Sequence, residues 1–149
     1  MTPRKSTGHG QPAMAGRCAC GAIRFELVSA PFDAGYCHCR ICQLTSGSPV
    51  MAFATVPIDD YRITRGIPAL RRFSDFGCRS FCRGCGTPLT MQVSHQPDTI
   101  DFTIATLDEP GRTTPEFHIW AGSRIDWFDT ADTRPRHDGF RHDTRGQHV

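Results

Sequence analysis

Cys18-Ala19-Cys20-Gly21 and Cys82-Arg83-Gly84-Cys85-Gly86 are two short cysteine knuckles separated by much of the chain. Two plus two thiolates complete a tetrahedron around one divalent cation, zinc first among the candidates. A glycine follows each pair, which suits a knuckle because glycine accepts the positive φ that turns backbone amides toward a metal-bound sulfur. Such a site would staple the first strand to a late hairpin. By analogy with structural zinc sites it contributes on the order of 10 kcal/mol to folding. A third group, Cys37-His38-Cys39-Arg40-Ile41-Cys42, places three thiolates within six residues, and three protein ligands with one open position is what a catalytic zinc needs. The remaining cysteine, Cys78, either closes that second site as a fourth ligand or is a small buried hydrophobe.

The alternative use of eight cysteines, a disulfide framework, is disfavoured by the same spacing. A bridge inside a CxC or CxxC pair closes too small a loop to constrain the denatured chain much. The opening residues 1–14 carry basic side chains with no apolar segment behind them, which argues against a secretory signal and predicts a cytoplasmic protein in a reducing compartment. The 149 residues fit one domain, which at that length buries roughly two-thirds of its unfolded surface. Lysine and arginine total 17 against 15 aspartates and glutamates, a net charge of +2 that gives no field for nucleic acid or a membrane surface. No apolar run approaches the ~20 residues of a membrane span.

Around the knuckles the hydrophobic pattern has a period of two. Ile23, Phe25 and Leu27 alternate with Arg24 and Glu26, Leu89, Met91 and Val93 with Thr90 and Gln92, and Ile100, Phe102 and Ile104 with Asp101 and Thr103. Residues 50–56 form a continuous apolar run stopped by Pro57, which reads as a strand buried on both faces. Residues 117–120 and 71–73 are shorter strand candidates, and helix is confined to a turn or so at 40–44 and 107–109. The predicted fold is therefore mainly β with little helix: a domain over 14–135, a polar N-terminal arm at 1–13 and a polar C-terminal tail at 136–149.

The runs Gly16-Arg17-Cys18-Ala19-Cys20-Gly21, Cys37-His38-Cys39 with Cys42, and Phe81-Cys82-Arg83-Gly84-Cys85-Gly86-Thr87-Pro88-Leu89 together resemble the glutathione-dependent formaldehyde-activating enzyme / centromere protein V domain family. Residues 100–108, 115–120 and 123–127 resemble its later segments, so the resemblance covers the whole predicted domain. It implies antiparallel sheets leaning together around zinc. Cys18, Cys20, Cys82 and Cys85 match the structural zinc ligands, and Cys37, Cys39 and Cys42 match the second site. It also implies carbon–sulfur lyase chemistry, in which glutathione and formaldehyde join as S-hydroxymethylglutathione or separate again. Cys78 matches nothing in the family's motif.

Three function classes follow. The first is a zinc-dependent carbon–sulfur lyase with a small thiol such as glutathione as its partner. The second is a non-catalytic zinc domain that binds glutathione or a protein, which a second site closed by Cys78 would favour. The third, a zinc-ribbon nucleic-acid binder, is opposed by the near-neutral charge. Three thiolates make a zinc a weak Lewis acid, better suited to thiol transfer than to making hydroxide. No proton-transfer residue is apparent. His38 is expected to point away from a metal held by its neighbours, and His118 to be a hydrogen-bonded structural histidine. His95, His137, His142 and His148 read as solvated. Trp120 and Trp127 read as core or rim, and Arg71, Arg72, Arg79 and Arg83 as a solvated basic face with glutathione's carboxylates as the sharper alternative.

Overall fold

A computed structural model describes residues 12–141 of the chain. Ten strands make two sheets: β1 (Met14–Arg17), β2 (Arg24–Leu27), β3 (Phe32–Cys37), β4 (Met51–Pro57), β5 (Tyr61–Arg65), β6 (Ala69–Arg72), β7 (Gly77–Phe81), β8 (Pro88–Val93), β9 (Thr99–Thr103) and β10 (His118–Ile119). The smaller sheet has the order β1-β2-β5 and the larger β10-β3-β4-β9-β8-β7-β6. The strand pairings are antiparallel, as expected, apart from the two-residue β10 on β3, which is parallel. The one α-helix among the described residues, α1 (Arg40–Ser46), follows β3 and ends at Gly47 in the left-handed conformation. Residues 107–109, a helix candidate in the sequence, lie between two single-turn helices, Ile104–Thr106 and Pro110–Arg112, and are not helical themselves. Among the described residues, no helix is long and apolar enough to cross a membrane.

The alternation in β2 sends Phe25 and Leu27 inward, both fully buried, against Ala54 and Val56 of β4, Leu89 of β8 and Phe102 of β9. Burying each large side chain contributes roughly 1.5–3 kcal/mol. Phe25 stacks on Tyr61 with ring centroids 4.6 Å apart and an interplanar angle of 21°. The two sheets thus meet through one core, and β4 explains its continuous apolar run. Ala54 and Val56 enter that core, while Met51 and Phe53 belong to the apolar group around Cys37 and Cys42 on the opposite face of the larger sheet.

Four strands have no counterpart in the hydrophobic pattern: β1, β3, β5 and β7. The chain also continues to pack past Pro135, where the sequence places a tail. The backbone N–H groups of Trp120 and Ala121 donate to the carbonyls of Gly139 and His137, and Phe140 meets Trp120 edge-on at 5.2 Å. The N-terminal arm, apart from residues 12 and 13, and His142 and His148 lie outside the described residues.

Candidate metal centres and an adjoining cavity

The first cluster forms where the two sheets come together. Cys18 and Cys20 sit in the β1–β2 turn and Cys82 and Cys85 in the β7–β8 turn. Their four sulfurs lie within 4.8 Å of one another. The turns share one construction. Gly21 N–H donates to the Cys18 carbonyl and Gly86 N–H to the Cys82 carbonyl, with φ of 78° and 80° at the two glycines. The Ile23 amide donates to Cys18 Sγ at 3.2 Å, and the Ala19 amide to Thr87 Oγ1 at 3.0 Å, which ties one knuckle to the other. Cys18 and Cys82 are buried while Cys20 and Cys85 are exposed. Hydrogen bonds from the Thr87 hydroxyl and backbone bring the Cys85 thiol down to about 5.

The second cluster is set by the end of β3 and the start of α1. Cys37 is the last residue of β3, Cys39 is the residue capping α1, and Cys42 lies in its first turn. Cys39 Sγ accepts from the Cys42 amide at 3.2 Å and is 2.9 Å from Cys42 Sγ, which in turn is 3.4 Å from Cys37 Sγ. Hydrogen bonds from the Cys37 and Cys42 thiols hold Cys39 down to about 2, whereas Cys42 is raised to about 11. Three thiols this close oppose one another's full ionisation. A divalent ion allows all three to ionise together.

Arg79 of β7 reaches this cluster. Its NH2 donates to Cys42 Sγ at 3.2 Å, and its guanidinium lies 5.8 Å from the centroid of the Phe53 ring. At 6% exposure it is not part of the solvated basic face predicted for it, although Arg71, Arg72 and Arg83 are exposed. A buried guanidinium needs an anion nearby, and the cysteine sulfurs provide one. Cys78 neighbours Arg79 on β7 and so points to the other face of the sheet. It is half-buried and is not among the three clustered sulfurs.

Behind the cluster, His38 and His118 are fully buried. His38 Nε2 is 2.8 Å from His118 Nδ1, and His118 Nε2 is 3.1 Å from Asp132 Oδ1. The carboxylate only accepts, so His118 carries its proton on Nε2 and His38 donates from Nε2. Burial, with the neighbouring His118, keeps His38 below the usual histidine range. His38 is thus interior, and His118 is hydrogen-bonded and stacked on Tyr36 at 4.8 Å. The Gln43 side-chain amide holds the His38 carbonyl at 2.9 Å, a second fastening of the cysteine turn.

A cavity of about 300 Å³ opens beside the second cluster, lined by Cys37, Cys39 and Cys42, by Arg79 and Asp101, and by aromatic side chains including Trp120. The four-cysteine cluster does not line it. Trp120 is thereby a wall residue, while Trp127 is exposed. Asp101 and Asp132 were not singled out as site residues in the sequence. Asp101 occupies an ordinary polar position of the β9 alternation, so nothing local sets it apart, and nothing in the polar run around Asp132 marks the second.

Residues 13–123 match the family model of the glutathione-dependent formaldehyde-activating enzyme. The chain belongs to that family. A Halomonas elongata protein provisionally named a glutathione-dependent formaldehyde-activating enzyme is 26% identical over 121 residues, covering 75% of this chain and 77% of its own length. An uncharacterized lyase of Schizosaccharomyces pombe is 31% identical over 78 residues, with 52% of this chain matched to 56% of that one. Among solved structures, a Rhodobacter sphaeroides protein from a structural genomics programme superposes with a TM-score of 0.57 at 26% identity, covering 83% of this chain and 99% of that one.

Proposed function

We propose that this family member is a zinc-dependent carbon–sulfur lyase that joins and separates a small thiol, glutathione the leading candidate, and an aldehyde such as formaldehyde. The observation that carries the reading is the contrast between the clusters: four sulfurs stand away from the cavity, and three open onto it. Cys18, Cys20, Cys82 and Cys85 would hold a structural zinc, and Cys37, Cys39 and Cys42 a second. The donor set fits, since clustered soft thiolates favour zinc. When bound at the three-sulfur site, zinc supplies a positive centre that acidifies a substrate thiol.

The chain's own residues do the rest. Arg79 offsets the negative charge that three thiolates place in a low-dielectric wall. The aromatic lining keeps water from competing with the thiol for the aldehyde carbon, and the walls hold the two reactants together, which replaces a bimolecular encounter by an oriented one. In the forward direction RSH and R′CHO give RS–CH(OH)R′: the sulfur lone pair forms the carbon–sulfur bond, the carbonyl π pair moves to oxygen, and the thiol proton is balanced by protonation of that oxygen.

The test is zinc content per chain together with sulfur counting by zinc-edge absorption, before and after glutathione is added, and turnover of S-hydroxymethylglutathione. Two zincs, one of them gaining a sulfur from glutathione, with turnover lost in Cys39→Ser, are the expected results. Two zincs whose sulfur counts do not change, with no turnover, would make the domain a binding or structural module instead.

A further inference from the structure

We propose that Asp101 is the proton-transfer residue of this cavity, donating to the carbonyl-derived oxygen as the carbon–sulfur bond forms and taking the hydroxyl proton back as it breaks. The inference rests on the lyase reading above. Asp101 is the third residue of β9, a strand in the middle of the larger sheet, where an acid is ordinarily disfavoured and costs desolvation. The register places Arg79, Met91, Asp101 and Thr55 side by side across β7, β8, β9 and β4, and all four line the cavity. The row brings a carboxyl group to the same cavity that the three cysteines line, with Arg79 bound to Cys42 at the other end of the row.

The neighbours define its chemistry. Thr55 Oγ1 donates to Asp101 Oδ1 at 2.7 Å, fixing one oxygen. From β3, Asp33 faces it and is itself 3.7 Å from Arg141, whose guanidinium covers Phe117. From β7 comes Arg79, and β8 contributes the uncharged Met91 and Val93. Burial, with a smaller push from Asp33, raises the carboxyl to about 6 against the opposing effects of Thr55 and Arg79. A carboxyl in that range exchanges its proton near neutral pH in both directions. The histidines are otherwise committed: His38 and His118 bond each other and Asp132, and neither lines the cavity.

The proton balance closes on groups already named. The thiol gives up its proton on becoming thiolate, the sulfur pair forms the new bond, the carbonyl oxygen takes the Asp101 proton, and the proton released by the thiol restores the acid. No oxidant or reductant enters.

The experiment compares wild type with Asp101→Asn and Thr55→Val in the zinc-loaded protein. It measures zinc per chain, glutathione binding by calorimetry, and the pH dependence of S-hydroxymethylglutathione turnover. The expected result for Asp101→Asn is a loss of kcat of about 100-fold or more, with zinc content and glutathione affinity unchanged and the limb near pH 6 gone. Thr55→Val keeps the acid but removes the hydrogen bond that favours its ionised form, so its limb moves to higher pH. An Asp101→Asn variant that folds, holds two zincs and retains both kcat and the limb overturns the proton role while leaving the lyase reading standing. Wild-type protein that binds glutathione yet turns over no adduct overturns both.

Discussion

Arg79 and Asp101 both face the cavity from the interior of a sheet, and each places a charged group where an apolar one would be easier to bury. For Arg79 the compensation is the sulfur of Cys42. Replacing it by leucine removes the counter-charge but keeps much of the side-chain volume. The expected outcome for Arg79→Leu is a folded protein whose second zinc binds about 10- to 100-fold more weakly, read by competition with a metal indicator while the first zinc stays. For Asp101 the compensation is incomplete, and this has a sign. Its carboxyl is raised to about 6 in the folded chain against an ordinary 3.8, so the folded state holds the proton more tightly than the unfolded one. The stabilisation that protonation brings is full below about pH 4 and is lost as pH rises through 6. Asp101→Asn therefore stabilises the fold at pH 8 by about 1–3 kcal/mol relative to its effect at pH 4, where the two proteins converge. Paired thermal melts of the zinc-loaded proteins at both pH values check it, and a variant less stable at pH 8 than at pH 4 relative to its parent refutes it.

The elements around the two clusters differ in what a lost thiol should do to them. In the β1–β2 and β7–β8 turns the cysteines are the meeting point of two sheets, so Cys18→Ser or Cys85→Ser is expected to release one zinc and unfold the domain. In the turn between β3 and α1 the Cys39 sulfur also caps the helix, accepting from the Cys42 amide. Serine is a favoured residue at that position, so Cys39→Ser is expected to keep the helix and the fold while losing the second zinc. Circular dichroism and metal analysis on the three variants separate these outcomes, and equal unfolding in all three would end the division into two sites. Cys78→Ser, on the opposite face of β7, should leave zinc content unchanged. Close packing sets another limit at β1. A Cβ placed on Gly16 would stand 2.4 Å from the Thr106 carbonyl and 2.3 Å from the Phe25 ring. Gly16→Ala should lower stability by about 1–3 kcal/mol, measured by denaturant unfolding.

At the scale of the whole molecule, the first cluster joins a turn of the three-stranded sheet to a turn of the seven-stranded one, while the second lies on one strand and the helix that follows it. On the proposed two-zinc reading, this arrangement would let one ion serve the fold and the other remain open to a ligand. The mainly β character was legible along the chain, because period-two alternation is local, and so was the grouping of seven cysteines, because close spacing already places thiols together. The sequence also carried the family resemblance, in motifs that are contiguous. It did not reveal β3, whose Phe32–Cys37 run contains an aspartate with φ of 48° and a glycine packed against Phe117, or β7, whose cavity face carries a buried arginine. Nor did it reveal the row from Arg79 to Thr55 or the line from His38 through His118 to Asp132. Those sets draw residues from distant parts of the chain, and no local pattern records which strand will lie beside which. Strand order and register are set by how the chain folds back on itself, and with them which buried charges face the same cavity as the three-cysteine cluster.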